Sequence, residues 1–352
     1  MTDPARAEPL VLALESSCDE TACAILRGRR VLANVVASQI ATHARFGGIV
    51  PELASRAHLD AVVPVTTAAL HDAGGLSLDD LDAVAVTHGP GLIGALLVGV
   101  QAAKGLALAL GKPLYGVHHM EGHLYSTALC DERGEGPEFG PHLALLVSGG
   151  HTELVVVEGL GKYRRLGGTR DDAVGEAYDK VGKILGVGYP GGPVIDRLAR
   201  EGNPEAIHFP RAMLQHDNFE FSFAGLKTAV AVHIDREGQP DSLQALQDIC
   251  ASFQAAVVEI LATKTLRARA ELGFDRVCVV GGAAANSGLR TALEDAAARE
   301  GFEFVPAALR YCGDNAAMIG AAAAARISAG VPPTIELFAN RSLEQVLAEP
   351  AA

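Results

Sequence analysis

The chain has no tryptophan, only 5% aromatic residues and only six cysteines. So few rings give little basis for stacking platforms that hold bases. Its six cysteines (Cys18, Cys23, Cys130, Cys250, Cys278, Cys312) are scattered without a C-x-x-C. That excludes a disulfide framework and a zinc ribbon, suits a reducing cytoplasm, and leaves most of them as small buried hydrophobes. Met1 to Pro9 is polar and carries no apolar stretch, so no signal peptide is expected. Gln101, Lys104 and many glycines interrupt the apolar helices, so no run is expected to span a bilayer and no membrane partner is expected. Positive charge is also short: 29 Lys and Arg against 42 Asp and Glu give a net −13. This argues against nonspecific nucleic-acid binding over the whole surface, while leaving room for a local basic face or a basic partner.

What is present is enough apolar material for large cores: 49% hydrophobic residues in 352, a length that predicts two domains. Leu10–Leu14 reads as an apolar strand, followed by the polar turn Glu15–Glu20 and strands at Thr21–Leu26 and Arg30–Val36. The same order returns at His142–Val147, the turn Ser148–His151, then Thr152–Val157 and Tyr163–Leu166. The strand Asp82–Val86 and its turn, leading into the helix Leu92–Leu110, are matched by Asp275–Val280, Gly281-Gly282 and the helix Ser287–Arg299. Internal duplication of a mixed α/β half is the economical account, two unrelated α/β halves being the alternative. The polar, Gly-rich stretch Asp131–Pro137 marks the junction. We expect a first domain at 10–135 plus 325–345 and a second at 138–322, with an insertion at 171–231.

The chemistry gathers around Val117-His118-His119-Met120-Glu121-Gly122-His123. On a helix, His119 and His123 share a face within reach of one cation, while Glu121 points about 200° away. Zinc proteases instead set the glutamate beside the first histidine, on its face. A packed or capping histidine pair has the same spacing. Asp314 precedes an Ala-rich helix, where aspartate is also a favoured N-cap. As a third ligand it would complete a two-His, one-carboxylate site with open positions, which suits iron or zinc. The turns Glu15–Thr21, Ser148–His151 and Gly281-Gly282 can turn backbone N–H groups toward a phosphate, although turns need glycine in any case. Asp179 could accept hydrogen bonds from ribose or substrate hydroxyls, or be a solvated helix charge; Gly192 and Asp196 could simply start a helix.

Taken in order, nine stretches resemble those of one family, the tRNA adenosine threonylcarbamoyltransferases, formerly labelled O-sialoglycoprotein endopeptidases. They are Leu14–Thr21, Phe46–Arg56, His118–His123, Val147–Thr152, Asp171–Lys180, Tyr189–Asp196, Phe221–Thr228, Gly281–Asn286 and Cys312–Asn315. The resemblance implies duplicated ribonuclease-H-like α/β domains of the actin, heat-shock ATPase and sugar kinase type, with a cleft between them. It implies transfer of threonylcarbamoyl from threonylcarbamoyl-adenylate to N6 of adenosine 37 in tRNAs reading codons that begin with A, releasing AMP. By motif, His119, His123 and Asp314 would bind one divalent metal ion, Fe(2+) first and Zn(2+) second. Val147, Ser148, Gly149, Gly150, His151, Asp179, Gly192, Asp196 and Asn286 would hold the adenylate. Glu15 or Asp19 would assist loss of the N6 proton, a role neither motif nor spacing fixes.

The implied partners are tRNA, a shortened homologous subunit and a small ATPase. The apolar face Leu92, Ala95, Leu96, Gly99, Val100, Ala103 suits helix association with such a subunit, or packing within this chain. Arg164, Arg165, Arg170 and Lys183 are candidates for a basic patch toward tRNA. A metal-dependent peptidase lacks its general base on the histidine face. A kinase would show Asp-x-Gly where this chain has Glu15-Ser16-Ser17. A nucleotide-binding scaffold without chemistry has no need of the histidines and Asp314.

Overall fold

The computed structural model of the chain describes residues 8–130, 134–334 and 336–340. The positions of the expected domains at 131–133, 335 and 341–345 lie outside the described residues. Two compact units emerge, one running up to Phe139 and resuming at Asp314, the other Gly140–Gly313.

The first unit is built from β1 (Leu10–Glu15), β2 (Glu20–Arg27), β3 (Arg30–Ser38), α1 (Ile40–Ala44), α2 (Pro51–Asp72), β4 (Ala83–Gly89), α3 (Ile93–Leu110), β5 (Leu114–His118) and α4 (His119–Tyr125). The second holds β6 (His142–Val147), β7 (Thr152–Gly159), β8 (Lys162–Gly168), α5 (Val174–Ile184), α6 (Gly191–Ala199), α7 (Ala224–Glu237), α8 (Leu243–Leu272), β9 (Arg276–Val280), α9 (Ser287–Glu300) and β10 (Glu303–Pro306). The helix α10 (Ala316–Ser328) returns to the first unit, packing on α4, β1 and β2. Its small apolar residues, Ala316 through Ala324, are buried there, so the whole helix counts with the first unit. The expected domain bounds cut this helix between 322 and 325, while the sequence also set the helix Asn315–Ala329 against the first domain.

The sheets repeat one plan. The first has the order β3-β2-β1-β4-β5, with β1 antiparallel to β2 and parallel to β4. The second has the order β8-β7-β6-β9-β10, with β6 antiparallel to β7 and parallel to β9. The central strands β1 and β6 are buried along their whole length, which explains why both read as continuous apolar runs rather than alternating ones. Leu12, Leu14, Val84, Val86 and Val100 form the core on one face of the first sheet.

One expectation needs correction. Among the described helices, α3 and α8 are long and apolar enough to cross a membrane by length and composition, although polar residues interrupt both. α8 spends most of its apolar surface inside its own unit. In α3 the residues Ala95, Leu96, Gly99, Val100 and Ala103 face the core, so of the two readings of that face it is packing within the chain that holds. The exposed apolar side chains are instead Ile93, Leu97 and Leu108 on α3, with Leu59 and Val63 on α2.

Candidate metal centre

Strand β5 ends in His118, whose Nδ1 accepts a hydrogen bond from the Met120 amide and caps α4. The capping role that sequence left open for the histidine pair therefore falls to His118, and His119 and His123 are left one turn apart on one face. Glu121 lies on the other side, its Oε2 2.5 Å from Nη2 of Arg326 on α10. That pair, with its carboxylate buried and its guanidinium partly exposed, ties α4 to the helix that follows Asp314. The N-cap of α10 is Asn315, whose side chain accepts from the Met318 amide, so the carboxylate of Asp314 is not used as that cap.

Asp314 Oδ1 lies 3.4 Å from His119 Nε2 and 3.2 Å from His123 Nε2. Ligand atoms about 2.1 Å from one metal ion at right or tetrahedral angles stand about 3.0–3.4 Å apart, so these separations fit a shared cation. The three residues can offer donor atoms within 4.8 Å of one another. His123 is fully buried, yet neither ring nitrogen makes a hydrogen bond among the described residues, although its Nε2 lies 3.2 Å from Asp314 Oδ1. A buried, unsatisfied imidazole nitrogen aimed at a carboxylate is what a metal ligand looks like without its ion. On these observations the residues fit a divalent metal.

Electrostatics agree. Burial works against a charged His119, but the carboxylates of Asp314 and then Glu15 outweigh it and hold its imidazole well above the ordinary histidine range. Burial would raise Asp314, yet the His119 cation and the approach of both rings carry it well below the ordinary carboxylate range. His123, with burial dominant, is lowered. The cluster thus combines a cationic and a neutral imidazole around one carboxylate, a set that a divalent ion can replace by expelling one proton.

Glu15 ends β1 almost wholly buried. Its Oε1 accepts from the Ser17 amide and its Oε2 from Thr87 Oγ1, and Oε2 also lies 3.0 Å from His119 Nδ1. Asp19 is half-buried, its carbonyl accepting from the Gln39 amide. Beside it, sequence reasoning passed over Glu20: burial, Asp314 and Asp19 push its carboxyl up to about 10.

The second unit gathers the other predicted residues. Val147 is buried, and Ser148 closes the turn through its amide to His151 O and its Oγ from the His151 amide. Gly149 and Gly150 are exposed at its tip. Asp179 Oδ1 accepts from the Gly191 amide at the start of α6, next to Gly192. Asp196 Oδ1 takes the Ser287 amide and hydroxyl and the Gln254 amide group. Asn286 caps α9 and donates to Gln254 Oε1 and Tyr178 Oη. Tyr178 and Gln254 therefore join Asp196 to Asn286, and neither was singled out from sequence. The available signal was a lone glutamine within the apolar run Ala251–Val257. Of the basic candidates, Arg165 pairs with Glu153 and Arg170 with Glu220, while Arg164 and Lys183 are exposed.

Known proteins bear on this site. The profile of the tRNA N6-adenosine threonylcarbamoyltransferase family matches residues 30–321. A protein of that name from Syntrophotalea carbinolica is 53% identical over 332 residues, covering 94% of this chain and 95% of that protein. Another, from Trichlorobacter lovleyi, is 52% identical over 340 residues, 96% of this chain and 98% of that one. Among solved structures, T. kodakarensis HypF matches at a TM-score of 0.60 and 14% identity, over 94% of this chain and 49% of that chain. At that identity the likeness is one of fold, and it agrees with the duplicated sheets described above. With most of its length matched by the family profile and about half its residues identical to full-length relatives, the chain belongs to the tRNA N6-adenosine threonylcarbamoyltransferase family, transferases that modify tRNA.

Proposed function

We propose that the chain transfers the threonylcarbamoyl group of threonylcarbamoyl-adenylate to N6 of adenosine 37 in tRNAs reading codons that begin with A, with AMP released. The observation that carries this reading is the buried His119–His123–Asp314 cluster with Glu121 turned away to Arg326. A metal centre is kept, and the glutamate a peptidase would need is spent elsewhere.

The donor is a mixed anhydride and is already activated, so the protein has mainly to position it and stabilise developing charge. The N6 nitrogen forms a bond to the carbamoyl carbon, the bond from that carbon to the phosphate oxygen breaks, and the N6 proton passes to a base. When bound, a divalent ion held by His119, His123 and Asp314 supplies Lewis-acid polarisation of a donor oxygen. Two imidazoles and one carboxylate suit Fe(2+) first and Zn(2+) second. Asp19, half-buried and on the turn after β1, is the better placed of the two proposed bases to meet a substrate. In the second unit, the Ser148–His151 turn, Asp179, Gly192, Asp196 and Asn286 take the adenylate. The exposed Leu59, Val63, Ile93 and Leu97 on α2 and α3 take the shortened homologous subunit, with a small ATPase as further partner. The setting is the cytoplasm.

The test is mass-spectrometric nucleoside analysis of tRNA from cells depleted of their own enzyme. The chain is supplied intact or as His119→Ala, together with matched partner proteins. The modified adenosine returns with the intact chain and is lost with the variant. An intact chain that fails overturns the substrate, and a variant that works overturns the metal.

A further inference from the structure

We propose that Glu15 is a positioning residue: its buried carboxylate takes the Nδ1–H of His119 and so turns the Nε2 lone pair toward the metal position beside Asp314. The inference rests on the reading of His119, His123 and Asp314 as metal ligands.

Three features assign the role. Glu15 is 1% exposed and ends β1, and Thr87 comes from β4, its parallel neighbour in the sheet, so the carboxylate is anchored on rigid backbone. Its oxygens are occupied from inside: Ser17 N at 2.5 Å on Oε1, and Thr87 Oγ1 at 2.5 Å with His119 Nδ1 at 3.0 Å on Oε2. Ser17 Oγ also stands 3.2 Å from the same Nδ1. Finally, His123 has no such support, since its Nδ1 makes no hydrogen bond among the described residues. Of the two histidines, His119 is thus the one whose far nitrogen is held by a carboxylate among the described residues. A carboxylate on the far nitrogen of a ligating histidine fixes the tautomer and raises ligand basicity, and removing such a group typically costs about ten- to a hundredfold in metal affinity.

The same hydrogen bonds make the substitution Glu15→Gln informative. A glutamine of the same shape has one oxygen and one amide nitrogen. The Ser17 amide is a donor and claims the oxygen. The NH₂ is then left facing Thr87 Oγ1, which can accept it, and His119 Nδ1. It donates to Nδ1, the imidazole proton moves to Nε2, and the lone pair that should meet the metal is lost. Reversing the amide instead sets two buried donors against each other at Ser17.

Zn(2+) affinity is measured by chelator competition on the full chain and on Glu15→Gln, Thr87→Val and His119→Ala, with thermal unfolding as a check on the fold. In the zinc-loaded proteins, the ¹⁵N shifts of His119 report which nitrogen carries the proton. We expect Glu15→Gln to bind about ten- to a hundredfold more weakly. We expect Thr87→Val to lose less, and the intact chain to show Nδ1 protonated. A folded Glu15→Gln with unchanged affinity and Nδ1 still protonated overturns the inference; if its transfer activity is nevertheless lost, Glu15 is a base instead. An intact chain without measurable zinc binding, or a His119→Ala variant that keeps it, overturns the ligand reading itself.

Discussion

Replacing Gly281 by alanine separates a glycine that the fold needs from glycines that only a ligand would need. Gly281 has φ 94° and ψ 168°, backbone that side chains other than hydrogen avoid, at a cost of about 1–3 kcal/mol. A Cβ there would stand 2.3 Å from the carbonyl oxygen and 2.7 Å from the carbonyl carbon of Val147. Those atoms belong to the end of β6 and cannot swing aside, so relief requires a backbone shift costing about 1–3 kcal/mol more. Together the destabilisation is about 4 kcal/mol, roughly 8–16 °C in melting temperature for a unit of this size. Gly149 and Gly282 are exposed, need no positive φ, and would offer a Cβ open space. Alanine at either should change stability by less than about 0.5 kcal/mol. If those turns cradle the adenylate, the added methyl obstructs its approach and raises KM for the donor about tenfold or more. Thermal unfolding by circular dichroism and donor-dependent kinetics check both halves. A Gly281→Ala protein that melts within about 2 °C of the parent would refute the packing argument. Gly149→Ala and Gly282→Ala proteins with unaltered KM would refute the cradle.

Three further outcomes follow from particular contacts. Arg326→Met leaves the buried carboxylate of Glu121 without its guanidinium and should cost about 3 kcal/mol in denaturant unfolding, the low end for a broken buried pair because Arg326 still meets water; a loss under 1 kcal/mol would mean the pair does not tie α4 to α10. His119 lies well above the ordinary range without metal, so metal binding near neutrality must expel its proton, and affinity should rise with pH. Calorimetry in buffers of different ionisation enthalpy should show about one proton released, and zero release would contradict the imidazolium. Lys264 is held down to about 8 from 10.5, first by burial and then by Arg267. Below pH 8 the folded chain bears the cost of a buried ammonium; between 8 and 10.5 it sheds that proton before the unfolded chain does, so stability rises across this window. Lys264→Met should remove that rise, and parallel pH profiles for the two proteins would show that Lys264 does not cause it.

How much was legible in sequence depended on whether the deciding contact was local. The strands of both hairpins could be read because β1 and β6 are buried on both faces and hence apolar throughout. The shared face of His119 and His123 follows from helix period alone. Asp314 was ambiguous because Asp314-Asn315 offers two capping residues in succession, and only the placement of α10 shows that Asn315 takes the cap. The thirty residues of α8 escaped notice because a helix apolar around most of its circumference has no distinct stripe. For the same reason the sequence left open whether Ala95, Leu96, Gly99, Val100 and Ala103 of α3 meet a partner or their own core, and they meet the core. Neither motif nor spacing fixed a role for Glu15, because its enclosure comes partly from Thr87, a neighbour only through strand pairing.

The duplicated plan leaves the hairpin turns as a place where the two halves differ. In each, a glycine after the strand parallel to the central one lets the chain approach the backbone where the central strand ends or turns. A Cβ on Gly91 would meet Ser17 O at 2.5 Å, as one on Gly281 would meet Val147 O at 2.3 Å. This close approach is shared, so it belongs to the fold and not to either function. What differs is the hairpin turn beside it. In the first unit the turn begins with Glu15 and Ser17, whose polar atoms face His119 and are enclosed. In the second, Gly149 and Gly150 leave the backbone open. An enclosed polar turn holds a side chain still, and an open glycine turn presents amides to something outside the chain. Exchanging the turns should therefore preserve each sheet and leave the histidine cluster in the first unit, because α4 and its two histidines follow that unit's last strand.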